Sequence, residues 1–244
     1  MTERSVHLVG SLPADSTREA LTWATSILGN TIGPCMPDGE TGDRSDWVNR
    51  LVENLRTHQD LQLVRDGEWS GYTDTPAFRV RKGRHLRWID LDYLAEFDKS
   101  WKAYEDLVHG SGRRFQIGIP GHFDVAAIAF GFNLPRALRN LAPFREATIR
   151  EMAAIWSRAK GLAVFQRAVP IELIMLRNLR RGAPPAAARR MAREILRLVE
   201  AAPAGTRFGL HLCLGDLNNE SMGDPSDAGP LVVLANAIMG EWPA

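Results

Sequence analysis

The chain has 244 residues, of which 45% are hydrophobic and 24% charged, and a formal net charge of +1. That balance supplies no global field to draw nucleic acid or a membrane surface, and two distant cysteines, Cys35 and Cys213, exclude a secreted disulfide scaffold. No apolar run reaches the ~20 residues of a membrane span, and the N-terminus carries no leader-like apolar region, so a cytoplasmic enzyme or binding protein is expected.

In chain order, residues 5–13 read as a short buried strand ending at Gly10-Ser11 and stopped by Pro13. Asp15 or Ser16 caps a helix running to about Leu28. Residues 32–36 suggest a second strand, followed by the polar loop 37–42. Asp43 or Ser45 then caps a helix with Trp47, Val48, Leu51, Val52 and Leu55 on one face. The stretch 60–92 is the least regular and predicts a small hairpin or an excursion from the main fold.

Beyond it, 91–108 is helical by spacing, 115–119 is a strand closed by Pro120-Gly121, and 134–160 is one long helix. A strand follows at 162–166. Pro185 opens an amphipathic helix to Val199, 208–215 is a strand, and 227–239 is helical. Trp88 and Trp101 read as core or interface anchors. Arg189, Arg190, Arg193 and Arg197 fall on one side of the 185–199 helix. With no interleaved aromatics, they read as a solvated face, and no nucleic-acid partner is expected.

Strands alternating with helices mean a parallel sheet with crossover helices. No Gly-x-Gly-x-x-Gly follows the first strand, where Gly10-Ser11-Leu12-Pro13 stands, so a barrel is favoured over an open dinucleotide-binding sheet. The fold expected is α/β, a TIM-type (β/α)8 barrel spanning 1–244 as one domain, in which only five or six strands can be placed. Barrels build their sites at the carboxyl ends of strands. Ser11, Glu40, His122, Gln166, His211, Cys213 and Asp216 all fall there.

Residues two apart in a strand share a face, so His211 and Cys213 project together. An imidazole and a thiolate are natural zinc ligands; the bland alternative is a packed Cys beside a hydrogen-bonded His. The segments Val9-Gly-Ser-Leu-Pro13, Asp38-Gly-Glu-Thr-Gly-Asp-Arg-Ser-Asp-Trp47 and His211-Leu-Cys-Leu-Gly215, in that order, resemble the cobalamin-independent methionine synthase family. The likeness is to its C-terminal catalytic barrel, within the uroporphyrinogen decarboxylase-like superfamily. The resemblance implies zinc-assisted transfer of a methyl or alkyl group to a small-molecule thiol. His211 and Cys213 then match metal ligands, and Ser11, Glu40 and Gln166 match substrate-holding positions. His122 sits in a loop that faces substrate in such barrels.

Two departures from the family pattern stand out. Arg167 and Ala168 occupy the place of an acidic residue that meets the substrate's amino group, and Glu172 compensates only if the backbone brings it inward. The family's remaining zinc ligands, a Glu and a Cys, lie on strands beyond the His-x-Cys strand, so the resemblance implies a barrel incomplete at its C-terminal end. The rival expectation is therefore a non-catalytic or partner-dependent barrel, completed by a homo-oligomer or a separate chain. A metal-free decarboxylase or lyase on the same fold is a third.

Overall fold

The computed structural model describes residues 4–178, 185–223 and 227–243. Helix α1 (Thr17–Leu28) is capped by Ser16, whose hydroxyl accepts from Glu19 N, while Glu19 reaches back to Asp15 N. This reciprocal arrangement fixes the helix start. Strand β1 (Cys35–Pro37) is followed by α2 (Trp47–Asn54), whose cap position falls to Asp46, not to Asp43 or Ser45. The predicted excursion is an antiparallel hairpin of β2 (Leu61–Arg65) and β3 (Ala77–Val80). Then come α3 (Tyr93–Leu107), β4 (Arg114–Pro120), α4 (His122–Ala129), α5 (Leu134–Arg139) and α6 (Leu141–Arg158). The remaining elements are β5 (Ala163–Ala168), α7 (Pro170–Asn178), α8 (Pro185–Ala201), β6 (Arg207–His211) and α9 (Gly229–Glu241).

The sheet order is β1-β4-β5-β6, every pair parallel, so spatial order follows chain order with the hairpin as an insertion. The fold is thus mixed α/β with a mostly parallel sheet. Register sets Gly118 beside Gln166 and Gly209, and Pro120 beside Ala168 and His211. Because partners in register share a face, Gln116, Gly118, Val164, Gln166, Ala168, Gly209 and His211 line one side, called the inner face here. Phe115, Ile117, Phe165 and Phe208 line the other and meet the helices. Phe115 packs against Phe97, Trp101 and Tyr104 of α3, and Phe165 lies 6.0 Å from Phe208. A second apolar cluster joins α7, α8 and α9 through Leu173, Leu176, Ala192, Ile195, Leu234 and Ile238.

Several expectations change. Residues 5–13 do not form a strand: Val6 makes one parallel bridge with Ile32 and the chain then leaves the ladder. The 134–160 helix is two, because the Asn140 amide turns back to Arg136 O and breaks the run. Helices α4, nearly all buried, and α7, short, carry too little amphipathic contrast to be read from spacing. The arginines of α8 are exposed, as expected. Trp101 stacks between Phe97 and Tyr104. Trp88 is 61% exposed, with the Arg150 guanidinium 3.7 Å from its ring, so it is no core anchor. No helix among the described residues is long and apolar enough to cross a membrane.

Candidate functional site

The inner face near the carboxyl ends of β4 and β5 gathers three of the predicted residues. The loop after β1 carries Glu40 in a left-handed conformation (φ 45°). It is tied down by an ion pair of Asp38 with Arg44 at 2.7 Å and by Arg44 donating to Gly118 O. The Glu40 carboxylate lies against Gly118 and Gly10; a Cβ at either position would collide with it. Ser11 Oγ donates to Glu40 Oε2 at 2.7 Å. Burial raises the Glu40 pKa above the usual carboxylate range, and the Ser11 hydrogen bond only partly offsets this.

Gln166 is 8% exposed and Gln116, one strand away, 2%. Gln116 Nε2 donates to Gln166 Oε1 at 3.1 Å, and a ring nitrogen of His7 lies 3.3 Å from the same oxygen. Sequence reading singled out Gln166 but missed Gln116. The available signal was a polar side chain inside an otherwise apolar strand.

His211 ends β6, half-buried, and shares the inner face with Gln166; Cys213 lies two residues beyond the strand and is also half-buried. Burial lowers the His211 pKa, with Asp216 pulling the other way, so the ring is neutral at pH 7. Burial raises the Cys213 thiol, which keeps its proton. Among the described residues no group of three or more His, Cys, Asp and Glu side chains is placed to hold a metal. Two neutral donors are half of a tetrahedral zinc set, so the residues present do not by themselves fit that ion.

Two expected positions fall elsewhere. His122 does not line the inner face: it is fully buried at the start of α4, 3.0 Å from Glu194 Oε1 of α8. Burial lowers its pKa to about 4, so a neutral ring donates Nε2–H to Glu194, whose own pKa is lowered to about 2. Glu172 is not brought inward either. Arg167 points to the helical side, where Nη1 donates to Ile195 O at 2.5 Å and Nη2 lies 3.3 Å from Glu172 Oε1. Asp124 completes this buried group by accepting from Ile171 N at 2.9 Å, which anchors the start of α7. Burial, then repulsion from Glu172, lifts the Asp124 pKa, and Glu172 is lifted by burial as well. Both carboxyls are thus held above the usual carboxylate range beside a single arginine.

No protein-family model and no curated protein matches the chain. Among solved structures, a methyltransferase from Methanosarcina mazei aligns with a TM-score of 0.53 and 15% sequence identity, over 98% of this chain and 70% of that one. At that identity the likeness concerns the fold, an α/β arrangement with a mostly parallel sheet.

Proposed function

We propose that the chain is a methyltransferase-like protein built on a sector of a TIM-type barrel. On this reading its inner face holds a small thiol that accepts a methyl or alkyl group. The observation that carries it is the convergence of Ser11, Glu40 and Gln166 on one face of a singly wound parallel sheet, with His211 on the same face and Cys213 just beyond. The fold shared with a methyltransferase and the motif order resembling the methionine synthase barrel support it. In the transfer, the thiol's sulfur forms a new bond to the alkyl carbon and its proton passes, directly or through water, to the departing donor. The donor–carbon bond breaks, and the donor keeps that electron pair. Glu40 and Ser11 orient the acceptor through its polar end. A zinc ion at His211 and Cys213 would need further ligands, so no step is assigned to it.

Binding of a small amino-acid thiol, measured by calorimetry with and without added zinc, tests this reading. Glu40→Gln and Ser11→Ala should each weaken it about tenfold, the loss of a charge-assisted hydrogen bond. Undiminished binding in both variants would reject the assignment. A second reading, a barrel completed by another copy or a separate chain, is favoured by β6, which pairs only with β5 among the described residues. It predicts an oligomeric mass in solution, checked by light scattering.

A further inference from the structure

Residues 6–12 touch the flank of β1 only at their two ends. Val6 N donates to Thr31 O at 2.7 Å and Gly33 N to Val6 O at 2.8 Å; at the other end Leu12 N donates to Gly39 O at 2.8 Å. Between these anchors the register slips by two residues, so the segment is shorter than the stretch it spans and cannot ladder along it. Among the described residues no backbone hydrogen bond joins 7–11 to 34–38. The segment cuts across the inner face instead.

What holds it there is side chains, not sheet: Ser11 Oγ donates to Glu40, a His7 ring nitrogen lies 3.3 Å from Gln166 Oε1, and two amides clasp its backbone. Gln116 Nε2 donates to Leu8 O at 3.0 Å and Val9 O at 2.8 Å, and Gln166 Nε2 donates to Val9 O at 2.6 Å. Two buried amides from neighbouring strands thus converge on one carbonyl of a segment in which Val6 and Val9 are 38% and 48% exposed, while Leu8 and Leu12 pack against the core. If the segment lifts, Leu8 leaves the core and the freed carbonyls are solvated at once. The cost of lifting is that one apolar contact and a handful of hydrogen bonds, each worth about 1 kcal/mol net.

We propose that residues 7–11 form a strap over the inner face, clasped by Gln116 and Gln166 and able to open without unfolding the sheet. While the strap is seated, both glutamines donate to its backbone, and the face that carries Glu40 is crossed by it. Opening exposes two neighbouring amides together with Glu40, which makes the strap a gate. The strap rests on hydrogen-bond geometry and is independent of methyl transfer.

Amide hydrogen exchange read residue by residue by NMR tests it in the full chain. In the wild type, the anchor amides Leu12 and Gly33 should exchange well ahead of the β4 and β5 amides, the mark of a local opening. Gln116→Leu and, separately, Gln166→Leu remove the clasp while keeping side-chain bulk. Gln166→Leu should speed exchange at Leu12 and Gly33 about tenfold, one lost hydrogen bond's worth, and Gln116→Leu, which removes two, should speed it more; both should leave β4 and β5 amides unchanged. Anchor exchange that matches the core in the wild type overturns the strap. So does a variant whose anchors are unaffected, or one in which anchors and core accelerate alike.

Discussion

Strands β5 and β6 are neighbours, parallel and in register, yet they are treated differently by the rest of the molecule. From Ala163 to Arg167 β5 is buried at every position, flanked by β4 on one side and β6 on the other, and roofed by α6 and α8. In β6 every residue is half-buried or exposed, and its far side has no strand among the described residues. Burial follows the count of neighbours more than composition: Phe165 and Phe208 are the same residue in paired positions, and only the first is sealed. The lesson is that β5 carries the stability of the sheet, whereas β6 leaves His211 half-buried at its end.

Truncating the paired rings should give the largest contrast. Phe165→Ala is expected to cost about 3–5 kcal/mol, the usual range for a ring removed from a closed core. Phe208→Ala should cost about 1–2 kcal/mol, because less area leaves contact with protein. Urea denaturation of both variants checks this. Equal losses would mean that β6 is sealed in solution by something beyond its described neighbours, and a concentration-dependent midpoint would identify that as another copy.

A smaller effect is expected at the inner face of β4. Gly118→Ala drives a methyl into the Glu40 carboxylate, which must swing aside and give up its Ser11 hydrogen bond, a cost of about 1 kcal/mol. In the Gly118→Ala/Glu40→Ala double variant most of that cost should vanish, giving a coupling energy that a double-mutant cycle reads directly. Additive losses would show that the two residues do not meet.

The pH dependence sharpens the comparison from the helical side. His122 is depressed to about 4 from 6.5, so the unfolded chain binds its proton first and stability falls as pH drops from about 6.5 to 4. Glu194, depressed to about 2 from 4.5, adds stability present above 4.5 and lost toward 2, extending the decline on the acid side. The His122 part should be of order 1–3 kcal/mol, since each tenfold change in proton affinity is worth about 1.4 kcal/mol. His122→Gln should flatten the upper part of the decline in denaturation midpoints measured against pH. A slope unchanged in that variant would move the acid sensitivity elsewhere.

Much of the fold was legible because it is written in periodicity. The amphipathic α8, the Ser16-x-x-Glu19 start of α1 and the apolar runs of β4 and β5 each express one local rule. Residues 5–13 had the composition of a strand and failed to become one, since register and the amides of Gln116 and Gln166 are long-range facts. The site divides in the same way. Ser11, Glu40 and Gln166, singled out by the family resemblance, do lie on one face, while His122 was misplaced because a residue just past a strand end can turn to either side of the sheet. Here α4 starts at once and carries it under α8. The Arg167–Glu172–Asp124 group was invisible for a related reason: strand alternation sends Arg167 to the helical side, where α4 and α7 had not been foreseen.

The carboxylate of Glu40 occupies the volume that side chains at positions 10 and 118 would otherwise fill. Three sites scattered over more than a hundred residues of chain therefore behave as one unit of inheritance. Relatives that keep an acid at position 40 should keep glycine at both of the others. In relatives that lose the acid, the two glycines are released, and alanine or serine should accumulate there first. An alignment of such sequences would show linked substitutions at these positions, a record of the pocket's shape that needs no structure to read.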